Sequence, residues 1–314
     1  MAEAMQQNSL MKSTLVYCIL FVAAAMGVML YYAATKTVGV TDLAQDEVVR
    51  PAVQKEESMP SAPQEENEIA INRAETNTNY FCIPMPESVK AEEVVLENHY
   101  MDKELWVGIN AEQAKEYETF YETKSVYGNC ANVTDGRFEA EKERICLRFA
   151  LDGVYEYRSI FEDHTLYVEF VPSKEVYEKI IVIDPAYGGE EHGITADGLL
   201  SKNITLDVAK ALKAMFDESD IKVYYTRMDD SNPAAADRVE LAAATKADML
   251  IRIEVSGDEN SKLYGTSAVY NSKFFIPGFG NVELADLLER EVVTSISGKA
   301  CGLIESTEAD LVVS

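Results

Sequence analysis

Between Lys179 and the last residue the chain alternates between strand-like and helix-like patterns, and this alternation restricts its fold more than any other feature. KIIVID (179–184) is a run of β-branched residues, the pattern of a strand covered on both faces. ITLDVAKALKAMF (204–216) places Ile204, Val208, Leu212 and Met215 on one helical face. VYYTR (223–227) then reads as a strand, DRVELAAATKA (237–247) as a helix and MLIRIEV (249–255) as a strand. GTSAVYN (265–271) reads as a further strand, NVELADLLEREVVTSI (281–296) as a helix and the closing ADLVVS as a last strand. Alternation of this kind predicts an α/β fold over 179–314, with a mainly parallel sheet, helices on both faces and right-handed crossovers.

Upstream the period changes. ERICLRFAL (143–151) sets Ile145, Leu147, Phe149 and Leu151 against Cys146, Arg148 and Ala150; HTLYVEFV (164–171) and KELWVGI (103–109) alternate likewise. Period-two alternation, with turn clusters at Tyr127-Gly128-Asn129 and Thr134-Asp135-Gly136, predicts a small, mostly β domain over 80–175. Trp106, the single tryptophan, is expected in its core. Before this domain, residues 35–79 are rich in Glu, Gln, Pro and Asn without periodicity, which predicts a disordered acidic linker.

A third kind of segment stands at the beginning. LVYCILFVAAAMGVMLYYAA (15–34) contains no charge, and Lys12 and Lys36 flank it. About 20 apolar residues are enough to cross a bilayer as a helix, so the expected arrangement is a cytoplasmic tail (1–14), a single transmembrane helix (15–34) and folded parts outside the cytoplasm. A signal peptide cut after Ala25 is the alternative. The net charge of -26 lacks the basic footprint that nucleic-acid binding requires. None of the five cysteines forms a C-x-x-C pair; one bridge or buried free thiols both remain open.

VIDPAYGG, GLLSKNITLDVAKAL, VYYTRMDD, DRVELAAATKAD and MLIRIEVSG occur in that order over 182–257. In order and spacing they resemble the catalytic domain of zinc-dependent N-acetylmuramoyl-L-alanine amidases, and the β-rich part is similar by position to the wall-targeting domain that often precedes them. The resemblance implies a zinc site of two histidines and a glutamate, plus a glutamate base. Carried over position by position, these places hold Tyr187, Ser201, Glu254 and Ser314. Tyr187, Glu254 and Ser314 each fall at the carboxyl end of a predicted strand, where open α/β sheets place their ligand crevice, and Ser201, opening a helix, is expected to face the same rim. A catalytic zinc needs three protein ligands from His, Cys, Asp or Glu. Of these residues only Glu254 is an ordinary one, and Ser201 suits a helix N-cap better than a metal.

The expectation is therefore a frame without its zinc: no catalytic set intact, no cofactor, and Tyr187, Arg252 and Glu254 as ligand-binding candidates. Arg252 shares a strand face with Glu254, so its guanidinium could fill the space of a cation. Asp184, Arg227, Arg238 and Asp248 match family positions and read as structural. The rearranged alternative is a metal held by His192, Glu191 and Glu254, which would make the chain an active amidase. The family domain continues past its last strand, so the resemblance also implies a C-terminally truncated domain. The expected partners are peptidoglycan or a wall-remodelling protein; a module working only through protein contacts is the third reading.

Overall fold

The structure is a computed structural model that describes residues 67–306, apart from 75–76, 111–113, 141–143, 197, 258–263 and 273–278. The described residues divide into two compact units, meeting in sequence between Pro172 and Ser173. The expected transmembrane helix at 15–34 and the last strand, ADLVVS, lie outside the described residues. No described helix is long and apolar enough to cross a membrane.

The first unit is a pair of antiparallel sheets. In chain order it contains β1 (Asn67–Glu68), β2 (Phe81–Pro84), β3 (Val94–His99), β4 (Glu104–Asn110), α1 (Ala114–Thr123), β5 (Tyr127–Gly128), β6 (Val133–Ala140), β7 (Arg144–Leu151), β8 (Tyr155–Glu162) and β9 (Thr165–Pro172). One sheet runs β1-β6-β7-β4-β3 and the other β5-β2-β9-β8. Alternation determines what is buried. Ile145, Leu147 and Phe149 on β7, with Leu105, Val107 and Ile109 on β4, are all essentially inaccessible. The two sheets share this core: the rings of Phe81 on β2 and Phe149 on β7 meet edge to face at 5.0 Å.

Three expectations need correcting in this unit. Residues 67–73 belong to it rather than to the linker: β1 pairs with Phe138 and Arg137, Ile69 is buried, and the Arg73 guanidinium donates to the carbonyls of Cys130, Val133 and Thr134. Thr134-Asp135-Gly136 is not a turn but lies inside β6, at a register shift between Val133 and Asp135. Gly136 leaves room for the Phe149 ring, which a Cβ there would approach to 3.2 Å. Trp106 is outside the core. Its neighbours Leu105 and Val107 take the inner face, so its ring lies on the outer one, stacked on His99 at 3.7 Å with the Arg148 guanidinium 3.9 Å from its centre. The four described cysteines form no disulfide; Cys82, Cys130 and Cys146 are buried and Cys301 is exposed.

The second unit carries the strand–helix alternation: α2 (Ser173–Val176), β10 (Ile180–Pro185), β11 (Thr195–Ala196), β12 (Leu199–Leu200), α3 (Ser201–Phe216), β13 (Lys222–Tyr225), α4 (Ala235–Thr245), β14 (Met249–Ile253), β15 (Thr266–Tyr270), α5 (Asn281–Ser295) and β16 (Ala300–Glu305). β10 is central and buried along its whole length, with β13 and β14 parallel on either side. α3 turns Thr205, Val208, Ala209, Leu212 and Phe216 inward, a face rotated from the expected one; Ile204 and Met215 are only half-buried. Val208, Leu212 and Phe216 pack in one cluster with Ile181, Ile183 and Tyr225.

The expected fold class, mainly parallel with helices on both faces, does not hold for the chain. Among the described strands, only the pairings of β10 with β13 and β14, and of β15 with β16, are parallel. Every other pairing of described strands is antiparallel. The physical reason is the share of the chain in the first unit, where hairpins such as β3–β4, β6–β7 and β8–β9 return each strand directly beside its predecessor. Nor do the described residues of the alternating segment form one sheet: among them β13-β10-β14 is a sheet of three strands, and β15–β16 form a separate pair.

Candidate binding crevice at the strand ends

Beyond β10 the chain turns sharply. Tyr187, Gly188 and Gly189 all have positive φ, at 66°, 146° and 52°. A tyrosine in the left-handed region is uncommon, and its surroundings hold it there. Gly188 and Glu191 exchange backbone hydrogen bonds of 2.9 Å in both directions, closing a small loop. Only glycine fits at 188, because a Cβ would lie 2.1 Å from the Ser231 carbonyl oxygen. The amide of Gly189 donates to Asp230, and buried Lys202 of α3 reaches back to the Gly189 carbonyl and the Asp230 carboxylate, each at 2.8 Å.

The position of the β14 end follows from register. Asp184 and Arg252 are partners across β10 and β14, and the Ala186 amide continues the pairing to the Ile253 carbonyl at 2.9 Å. Glu254 follows two residues after Arg252. The result is a chain of polar contacts. The Tyr187 hydroxyl donates to Glu254 Oε1 at 2.9 Å, and Arg252 Nε donates to Glu254 Oε2 at 3.4 Å. Arg252 Nη1 donates to Asp184 Oδ2 at 3.0 Å. Asp184, fully buried, uses Oδ1 for Arg238 Nη1 and the Thr226 hydroxyl. Behind it, Arg227 fixes the turn through the carbonyls of Pro185, Ala186 and Lys202, each at 2.9 Å. Partial burial and the hydrogen bond to Glu254 push the Tyr187 phenol up to about 12, with Arg252 acting against the rise.

Tyr187, Arg252 and Glu254 thus come together. Ser201 is buried and engaged elsewhere: its hydroxyl accepts from the Ile194 amide at 3.0 Å and donates to the Ile194 carbonyl at 3.3 Å. It is also not an N-cap, since α3 begins at Ser201 and Leu200 occupies the cap position. Only Gly193 separates it from the phenol; a Cβ there would come within 2.7 Å of both Ser201 and the Tyr187 ring. The alternative metal set is not assembled. His192 is exposed, the Glu191 carboxylate accepts from Asn232 at 3.1 Å, and among the described residues no three His, Cys, Asp or Glu side chains group to hold a metal ion. Ser314 lies outside the described residues.

Sequence reasoning missed Asp184 as a member of this cluster, although Asp184 and Arg252 stand at the same depth in two adjacent strands. The residues present do not fit a catalytic zinc. A phenol held protonated to about 12 is a poor ligand at neutral pH. The Ser201 hydroxyl is occupied by backbone groups, and both Glu254 oxygens already have partners.

A turn at the carboxyl ends of parallel strands, pinned by a helix lysine and by buried arginines, stands at the edge where open α/β sheets place their ligands. Residues 181–313 match the family model described as N-acetylmuramoyl-L-alanine amidase. The N-acetylmuramoyl-L-alanine amidase LytC of Bacillus subtilis is 28% identical over 99 residues, covering 32% of this chain and 20% of that protein. AmiA of Escherichia coli is 32% identical over 91 residues, covering 29% of this chain and 32% of that protein. The solved N-acetylmuramoyl-L-alanine amidase of Clostridium difficile 630 is 27% identical, with a TM-score of 0.35 over 41% of this chain and 69% of that one. Over residues 181–313 the strand–helix domain is thus similar to N-acetylmuramoyl-L-alanine amidases. It spans less than two thirds of the length of the curated LytC and AmiA relatives.

Proposed function

We propose that this chain is a non-catalytic amidase-family protein that acts at the cell wall by binding peptidoglycan fragments in the strand-end crevice. One observation carries the reading: Glu254, the single ordinary metal-ligand side chain at the family positions, is already engaged by Tyr187 and Arg252. A hydrolytic zinc generates its nucleophile by lowering the pKa of a bound water, which requires ligands free to hold the metal. What remains in the crevice is a phenol, a partly exposed carboxylate and a guanidinium, groups that recognise amides and carboxylates. The reading also places the folded parts outside the cytoplasm, with the uncharged 15–34 run at the membrane. Family membership alone does not carry activity.

The test is cosedimentation with insoluble cell-wall sacculi. The chain is expected to sediment with them and to release no soluble stem peptide. Tyr187→Ala is expected to weaken binding about tenfold, the loss of one hydrogen-bonded contact group. Release of peptide by the unmodified chain would overturn the proposal.

A further inference from the structure

We propose that Arg252 is the resident cation of this crevice, a guanidinium fixed between Asp184 and Glu254 that keeps a divalent metal ion out of the space between them. The inference rests on the non-catalytic reading and goes beyond it, because it identifies what closes the site to metal.

Strand register brings the three side chains together. Asp184 and Arg252 are paired residues of adjacent parallel strands, so their side chains leave the sheet on the same side. Glu254 stands two residues further along, on the face of Arg252. The two oxygens of Asp184 have separate partners. Oδ1 takes Arg238 and Thr226, while Oδ2 takes only Arg252 among the bonds described. Two carboxylates therefore flank one guanidinium, at 3.0 Å on the buried side and 3.4 Å on the open side. The Arg252 side chain is 18% exposed and that of Glu254 43%, so the cluster opens to solvent through Glu254.

Remove the guanidinium and two carboxylates face each other across a gap at the crevice floor. A divalent cation is the chemistry that neutralises two carboxylates with oxygen ligands. With Arg252 in place, neither carboxylate lacks a counter-charge, and an arriving dication meets a fixed positive charge at short range. Arginine suits the role because its charge is permanent and its planar fork reaches both acids at once.

The test uses the purified full-length chain and zinc chloride alone as probe. Arg252→Met is expected to gain zinc binding, raising its thermal midpoint by about 3–8 °C at a zinc concentration 100 times its Kd. The unmodified chain and Arg252→Lys are expected not to shift, since both keep a cation there. Adding Glu254→Gln to Arg252→Met is expected to abolish the gain, which places the zinc at this site. Should Arg252→Met not fold, Arg252→Gln, neutral and still able to hydrogen-bond, is expected to gain zinc binding by calorimetric titration. Zinc-silent Met and Gln variants, a gain in Arg252→Lys equal to that in Arg252→Met, or a gain that survives Glu254→Gln would each overturn the assignment. Zinc bound one-to-one by the unmodified chain would also overturn the assignment, whereas release of stem peptide from sacculi would overturn the non-catalytic reading, so the two failures are distinguishable.

Discussion

Asp184→Ala is expected to cost about 3–5 kcal/mol of unfolding free energy, because removing one member of a buried ionic cluster leaves the opposite charges uncompensated. Asp184 is fully inaccessible and Arg238 is 3% exposed, so water cannot take over the lost bonds. Three donors lose their carboxylate partner together, Arg238 Nη1, Arg252 Nη1 and the Thr226 hydroxyl, and Arg238 Nη1 keeps only its longer bonds to the Pro185 carbonyl and the Thr226 hydroxyl. Arg227, close behind, already has its pKa lowered, by burial first and by the nearby Arg238 charge second. Without the Asp184 charge these guanidiniums repel each other more strongly. Urea unfolding followed by far-UV circular dichroism measures the loss. A change below about 1 kcal/mol, typical of an exposed pair, would show that the cluster does not hold the crevice floor.

Phe149→Ala is expected to be comparably damaging in the β unit, at about 3–5 kcal/mol, the usual range for deleting a buried phenylalanine. Phe149 is inaccessible and joins the two sheets through its edge-to-face contact with Phe81. Gly136 packs against the same ring from β6, so the space left behind has no flexible side chain to fill it from that direction. Trp106, the only tryptophan, lies on the outer face of β4 and reports unfolding of this unit by its fluorescence. A midpoint within experimental error of the unmodified chain would show that the ring is not shared between the sheets.

How much of the fold was legible in the sequence differs between elements. Period two alone located the buried set on β4 and β7, because a strand with one covered face leaves no other arrangement for Leu105, Val107, Ile145 and Leu147. The β-branched run KIIVID (179–184) likewise announced a strand buried on both faces, found as β10 at Ile180–Pro185. What escaped depended on partners distant in sequence. β1 is two residues long within an acidic stretch, and its place depends on Arg137 and Phe138 some 70 positions away. β16, ACGLIE, lacks alternation and was not foreseen; it is organised by its pairing with β15 and its packing against α5. Thr134-Asp135-Gly136 has turn composition but serves as a bulge inside β6.

At the crevice, the family positions drew attention to Tyr187 and Glu254, and face-sharing along β14 drew it to Arg252. The role of Asp184 depended on strand register, which no local pattern in the sequence specifies. Ser201 illustrates the same limit. Its residue type suggested a cap, whereas its hydroxyl ties down the Ile194 backbone seven residues earlier.

A crevice without a competent zinc site is tested most directly by elemental analysis of the full-length chain, purified without chelator and then equilibrated with zinc and dialysed. No stoichiometric zinc is expected before or after equilibration, because the phenol, the occupied hydroxyl and the paired carboxylate offer no competent ligand set. One tightly held zinc per chain, lost on Glu254→Gln, would contradict that expectation.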